Sequence, residues 1–106
     1  MTKATMIWPR LRMEVSGHAG AGTEGNDIVC AGVSILVYTL ARMLQEQEQR
    51  GRLTFTFEEK PGSAVITADP RMDCLNETKA YFRMAVTGLK MLKEEYRDNV
   101  DIKEVI

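Results

Sequence analysis

The sequence predicts an α+β fold in which two helices pack on a small mixed or antiparallel sheet, in the order ββαββα with a closing strand. Three observations lead to this prediction. Apolar and polar residues alternate in short regions, apolar residues recur every three or four positions in two longer regions, and glycine or proline separates the regions. The 106 residues suffice for one domain, residues 1–106, with a single hydrophobic core.

The first half of the chain predicts a β-hairpin followed by a long helix. Thr2 to Trp8 is a short β-like stretch, Pro9-Arg10 is typical of a turn, and apolar residues alternate with polar ones from Leu11 to Val15. A helix is predicted from Ile28 to about Arg50, before a glycine. Its apolar stripe, at three- and four-residue spacing, consists of Val29, Val33, Leu36, Val37, Leu40 and Leu44.

The second half predicts another hairpin and another helix. Leu53–Phe57 and Ala64–Ala68 have the pattern of strands, and Pro61-Gly62 between them is a turn signal. Asp73 is the expected cap of the second helix, and residues 100–105 suggest a short closing strand. The inner face of this helix is expected to carry Leu75, Phe82, Ala85, Val86, Leu89, Leu92 and Tyr96.

Charge and hydropathy exclude several classes of function. The net charge is −1 and the basic residues are scattered, which argues against direct nucleic-acid binding. The N-terminus lacks the pattern of a secretory signal. The longest uncharged run, Ile28 to Ala41, has 14 residues, which suits a core helix better than a membrane span. We therefore expect a cytoplasmic protein with no membrane partner.

The cysteine and histidine content narrows the chemistry further. Two cysteines, one histidine and no Cys-x-x-Cys pair do not form a structural zinc site, so no metal and no cofactor is predicted. A Cys30–Cys74 disulfide is not expected in a reducing cytoplasm. The remaining possibilities are thiol reactivity or no chemistry at all.

A glycine-rich segment separates the first hairpin from the first helix. Gly17 to Gly25 holds four glycines in nine residues, which predicts a mobile or specially shaped loop rather than a regular element. Asn26 and Asp27 then offer helix-capping side chains. The segment matches neither the dinucleotide fingerprint nor a P-loop, so nucleotide binding is not favoured.

Cys30 and His18 are the candidate chemical groups. If Asp27 caps the helix, Cys30 lies in its first turn, where unpaired N–H groups and the helix dipole stabilise a thiolate. The loop is long enough to return His18 to that turn, where it could take the thiol proton. The N–H groups around Cys30 and Ala31 could then contribute to an oxyanion hole.

Each of these residues also has a simpler interpretation. A cysteine on an apolar helix is usually a small buried hydrophobe, and a lone histidine at a strand end usually lies on the surface. Cys74 also follows an aspartate, but it lacks a glycine loop and a nearby histidine. Ser34, one turn after Cys30, either shapes the site or bonds to the helix backbone. Asp27 could orient His18, although capping explains it equally well.

The pattern Gly17-His18, then Asp27-Ile28-Val29-Cys30-Ala31-Gly32-Val33-Ser34, resembles the Prp family of ribosomal-processing cysteine proteases. The resemblance continues more weakly through Val86-Thr87-Gly88-Leu89-Lys90 and Glu94-Glu95-Tyr96, and it covers nearly the whole chain.

The resemblance implies an α/β sandwich, usually a homodimer, with His18 and Cys30 as the catalytic pair. It implies an endopeptidase that removes the N-terminal extension of large-subunit ribosomal protein twenty-seven next to a phenylalanine, so the partner is that precursor peptide. The residues expected to form the substrate loop and pocket are Gly17, Ala19, Gly20, Gly22, Gly25, Asp27, Ala31 and Ser34.

Three alternatives stay open at this point. The substrate could be another protein, such as a phage structural protein. The chain could be a catalytically idle module that binds the ribosome or a partner through the same groove. A redox-sensing dimer that uses Cys30 or Cys74 is a third hypothesis.

Overall fold

The computed structural model describes the backbone of residues 1–17 and 24–106 and the side chains of residues 1–17 and 28–106. Within these ranges the order of elements is ββαββαβ. The elements are β1 (Thr2–Ile7), β2 (Arg12–Ser16), α1 (Glu24–Gln49), β3 (Leu53–Lys60), β4 (Ser63–Pro70), α2 (Leu75–Glu95) and β5 (Val100–Val105).

The described strands form one mixed sheet in the order β3-β4-β2-β1-β5. The pairs β1–β2, β2–β4 and β3–β4 are antiparallel, whereas β1 and β5 run parallel. The predicted α+β class with two helices on a mixed sheet is therefore confirmed. The second hairpin turns at Pro61-Gly62, as expected, and Gly62 has the positive φ of 79° that this turn needs.

The hydrophobic core lies between the sheet and the two helices. The alternation of β1 and β2 points Ala4, Met6 and Met13 into it. The predicted stripe of α1 is buried except for Leu36, which is half-buried. On α2 the buried inner-face residues are Phe82, Ala85, Val86 and Leu89, with Leu75, Leu92 and Tyr96 packed against the core at its margin.

Two glycines set the close approach of the helices. A Cβ atom added to Gly88 of α2 would lie 2.5 Å from Leu36 Cδ2 on α1. One added to Gly32 of α1 would lie 3.0 Å from both methyl groups of Leu92. Side chains at these positions would displace the methyl groups of Leu36 and Leu92, so each glycine leaves room for a leucine of the opposite helix to pack against it.

Both predicted helix caps are wrong. Helix α1 begins at Glu24, so Asp27 lies inside it; acidic residues are favoured in a first turn, which lets the helix start one turn earlier. Helix α2 has Cys74 at its N-cap with no side-chain capping bond. Asp73 instead belongs to a short 3₁₀ helix, and its carboxylate pairs with Arg71 at 2.8 Å.

Helix α1 extends well beyond its uncharged run, and much of its length is apolar. The segment Ile28–Gln49 has a mean hydropathy of 1.7 and is long enough to cross a membrane by length and composition alone. A core helix passes the same test, and Val29, Leu40 and Leu44 are fully buried against the sheet and α2. We therefore interpret it as the core helix of this sandwich.

A polar cluster joins β5 to the rest of the fold at the end of β1 that is remote from Gly17. Trp8 Nε1 donates to Glu104 at 2.8 Å, and Lys90 Nζ lies 2.7 Å from the other carboxylate oxygen. These two donors, Lys90 first, lower the pKa of Glu104. The guanidinium of Arg83 lies over the Trp8 ring, 4.8 Å from its centroid.

Candidate active site

A cleft of about 510 Å³ opens between the first half of α1 and the β3–β4 hairpin. The ends of β1 and β2 close one side of it. Its lining is mostly apolar, with a few hydroxyl and charged groups at the rim. The residues that line it are Thr2, Val15, Ser16, Gly17, Cys30, Val33, Ser34, Val37, Tyr38, Phe57, Glu59, Lys60, Pro61, Gly62, Ser63 and Ala64.

Cys30 lies in this cleft, half-buried, on the seventh residue of α1. Because α1 begins at Glu24, Cys30 is in the second turn and not the first. In an α-helix its backbone N–H bonds to the carbonyl four residues earlier, and the same holds for Ala31. These N–H groups are therefore engaged in the helix, and the predicted oxyanion hole around Cys30 and Ala31 is not formed here.

The helix brings three cleft residues into one row. Cys30, Ser34 and Tyr38 follow at intervals of four, so their side chains lie one above another along α1. Each directly follows a residue of the buried stripe, Val29, Val33 or Val37, and therefore projects about 100° around the helix from the core. Packing of the stripe thus points the row at the cleft.

The predicted pocket residues are only partly brought together. Gly17 and Ser34 line the cleft with Cys30, whereas Ala31 is exposed and does not. Gly25 and Asp27 lie in the first turn of α1, where only the backbone is described. The predicted catalytic His18, together with Ala19, Gly20 and Gly22, also lies outside the described residues.

Gly17 anchors the chain immediately before His18. Its N–H donates to the carbonyl of Gly62 at 3.1 Å, and Thr2 Oγ1 donates to the Gly17 carbonyl at 3.2 Å. Its φ is +85°, and an added Cβ would lie only 2.1 Å from the carbonyl oxygen of Met1. Only glycine fits here. The chain that leads into His18 therefore leaves β2 from a fixed point on the cleft rim.

Three residues at the far end of the cleft were missed in the sequence analysis. The Tyr38 hydroxyl of α1 donates to the Glu59 carboxylate of β3, and this bond raises the pKa of Tyr38. The Tyr38 ring stands edge-on to Phe57, with 5.9 Å between centroids and 82° between planes. The four-residue spacing from Cys30 and the alternation of β3 were the signals that could have found them.

Cys74 has different surroundings. It is half-buried at the N-cap of α2, with its Sγ 3.7 Å from Asp73 Oδ1, and it does not line the cleft. Cys30 and Cys74 form no disulfide with each other. Of the two thiols, Cys30 is the one that a peptide in the cleft can reach.

An α+β sandwich that presents a helical cysteine to a long, mostly apolar cleft has the arrangement expected of a thiol hydrolase acting on a peptide. A sequence model of the family described as "Cysteine protease Prp" matches residues 3–101. The chain therefore belongs to the Prp family of cysteine proteases and is a hydrolase. A comparison with curated protein sequences finds no match.

Solved structures share the fold over almost the full chain. SMU.848 from Streptococcus mutans is 27% identical, with a TM-score of 0.75, covering 99% of this chain and 94% of that one. An essential ribosomal processing protease Prp from S. aureus, in complex with a substrate peptide, is 18% identical, with a TM-score of 0.76 and coverage of 98% and 99%. The same protease with a covalently linked product peptide has 20% identity and a TM-score of 0.72, with the same coverage.

Replacement of Gly17 tests its anchoring role. We expect Gly17→Ala to lower the free energy of unfolding by about 2–3 kcal/mol, because a strained φ is combined with a clash against backbone. Gly51 is the matched control: its φ is +72°, but an added Cβ meets nothing within 4 Å, so Gly51→Ala should cost only about 1 kcal/mol. Equal losses in urea unfolding would contradict the anchoring role.

Proposed function

We propose that this protein is an endopeptidase that removes an N-terminal extension from a ribosomal protein precursor, namely large-subunit ribosomal protein twenty-seven. The observation that carries the proposal is Cys30 in a peptide-sized apolar cleft, beside the fixed point from which the chain enters His18. The ribosomal processing protease from S. aureus, which shares the fold, supports the choice of substrate class. We also propose a cytoplasmic location, where precursor and reduced thiols occur together.

In the proposed reaction His18 takes the proton of the Cys30 thiol. The resulting thiolate attacks the carbonyl carbon of the residue before the cut, and the electron pair of the C=O bond moves to oxygen. As the tetrahedral intermediate collapses, the C–N bond breaks and His18 returns the proton to the departing amine. Water, deprotonated by His18, then hydrolyses the thioester and regenerates Cys30. The reaction uses no metal or cofactor.

The cleft suits a phenylalanine next to the cut. Val33 and Val37 of α1, Phe57 of β3 and Ala64 of β4 supply apolar walls beyond Cys30. A volume of about 510 Å³ is ample for an aromatic side chain together with a stretch of peptide. The Ser34 hydroxyl, exposed on the same row as Cys30, is placed to hydrogen-bond the peptide backbone.

A cleavage assay tests this function. The native protein should cut a peptide that spans the ribosomal extension once, next to its phenylalanine, as read by mass spectrometry. We expect Cys30→Ala and His18→Ala each to lower kcat/KM by at least about a thousandfold, because nucleophile and base act as a unit. Cys74→Ala, which removes the other thiol, should retain activity within about twofold.

Three outcomes would contradict the proposal or a part of it. If Cys30→Ala still cut the peptide, Cys30 would not be the nucleophile. If neither native protein nor variant cut it, yet both bound it equally, the idle binding module would be favoured. A change of oligomeric state with peroxide that dithiothreitol reverses would instead favour the hypothesis of a redox-sensing dimer.

We further propose that the protein is a homodimer. Large apolar side chains are exposed on α2, with Met84 at 45% and Met91 at 60% exposure. Such residues are commonly covered in an assembly. Light scattering should give twice the chain mass of 11.9 kDa, and Met91→Lys should shift the protein towards the monomer. A protein that stays monomeric up to about 100 μM would contradict the proposal, because its dissociation constant would then exceed the micromolar values of stable dimers.

A further inference from the structure

A second groove lies on the other side of the Tyr38 side chain. It runs between the middle of α1 and the edge strand β3, and its volume is about 530 Å³, close to that of the first cleft. Its lining is again largely apolar, with charged groups at the rim. The residues that line it are Ile35, Tyr38, Thr39, Ala41, Arg42, Met43, Gln45, Glu46, Phe55 and Phe57.

The two grooves share two residues, Tyr38 and Phe57. These two rings are the pair that stand edge-on to each other, so they form the partition between the cleft that holds Cys30 and the second groove. Tyr38 is 48% exposed, so packing alone leaves its outer half unsupported. Its position depends on the hydroxyl, which donates to Glu59 across the gap between α1 and β3.

Glu59 is held in place by the β3–β4 hairpin. Glu59 lies on β3 in register with Ala64 of β4, just before the turn at Pro61-Gly62. Gly62 in that turn accepts the hydrogen bond from Gly17. The hairpin tip is thus tied to β2 on one side of the cleft and to α1 on the other, which fixes the separation between Cys30 and the partition.

We propose that Tyr38 is a specificity-determining residue of this protease, the end wall that limits the length of the apolar side chain accepted next to the cut, and that Glu59 is the positioning residue that holds it. This inference rests on the proposed function and deepens it. The side chain admitted is one of phenylalanine size. A longer aromatic side chain would have to displace the Tyr38 ring into the second groove and break its bond to Glu59.

Removal of the wall joins the two grooves into one. A Tyr38→Ala protein should therefore accept an apolar side chain one ring longer than phenylalanine. Tyr38→Phe keeps the ring but loses the bond to Glu59, and Glu59→Ala loses the same bond from the other side. Both should give an intermediate loss of selectivity. Neither change removes a core side chain, since both residues are exposed.

Binding separates this inference from catalysis. In a Cys30→Ala background, fluorescence anisotropy would give the dissociation constants of two peptides that differ only at the residue before the cut, phenylalanine in one and 4-phenylphenylalanine in the other. We expect about a tenfold preference for phenylalanine, in the range that pocket size alone gives. Addition of Tyr38→Ala should reduce the preference to about twofold or less, since the wall that rejects the second ring is gone.

Tyr81 supplies the matched control. Its hydroxyl also donates to a carboxylate, that of Glu77 at 2.6 Å, but it lies on α2 and lines neither groove. Tyr81→Phe should leave the preference unchanged. In the active protein, Glu59→Ala should raise KM for the phenylalanine peptide about three- to tenfold with kcat within twofold, because a looser wall weakens binding without touching the reacting atoms.

The inference fails if the preference is the same with and without Tyr38→Ala, or if the Cys30→Ala protein binds neither peptide. It also fails if Tyr81→Phe changes the preference as much as Tyr38→Phe. If native protein cuts neither peptide but the preference collapses with Tyr38→Ala, the proposed function fails and the role of Tyr38 in selection stands.

Discussion

The burial of one side of α1 is the constraint on which the rest of the site depends. Val29, Val33 and Val37 are held against the sheet. The helix repeat then directs the residue that follows each valine towards the β3–β4 hairpin, and Cys30 is the first of these. Gly32 and Gly88 leave room for Leu92 and Leu36 of the opposite helix, so α1 packs against α2 as well as against the sheet. The direction of the Cys30 side chain is therefore set by packing of the core, so the geometry proposed for catalysis depends on the stability of the fold.

The cleft combines a rigid frame with an open side. Its hairpin wall is tied to β2 through Gly62 and Gly17 and to α1 through Glu59 and Tyr38. A frame tied at both ends suits a protease that must hold a peptide carbonyl within reach of one sulfur atom. Glu59 and Lys60, the charged residues among the described lining, lie at the hairpin end, whereas Val33 and Val37 supply aliphatic surface along α1.

Most of the fold could be predicted because the strand and helix patterns depend on residues that are close together in the sequence. Alternation in β2 and β3 and the four-residue stripe of α1 arise from the period of each element, and both were confirmed. The helix starts were wrong because a capping side chain is a preference that neighbours override: Asp73 pairs with Arg71, and α1 takes in Asp27. An element boundary depends on contacts that a pattern does not contain.

The candidate site was predictable only where one residue type carries its own chemistry. Cys30, Gly17 and Ser34 were named from the sequence, and the structure brings all three to the cleft. Tyr38, Phe57 and Glu59 were missed because their roles come from the packing of α1 against β3, and the pattern of neither element shows which side chains meet across it. His18 lies outside the described residues, so its role stays a prediction from the resemblance and from its place after Gly17.

The most direct test of the central claim is covalent labelling of the thiol by a peptide chloromethyl ketone that ends in phenylalanine. We expect a single adduct at Cys30, located by peptide mapping. It should form at least about tenfold more slowly in His18→Ala, and also with a glycine-ended reagent, since a thiolate and an aromatic pocket are both required. Labelling of Cys74 at an equal rate, or labelling of Cys30 that is indifferent to His18 and to the phenylalanine, would contradict it.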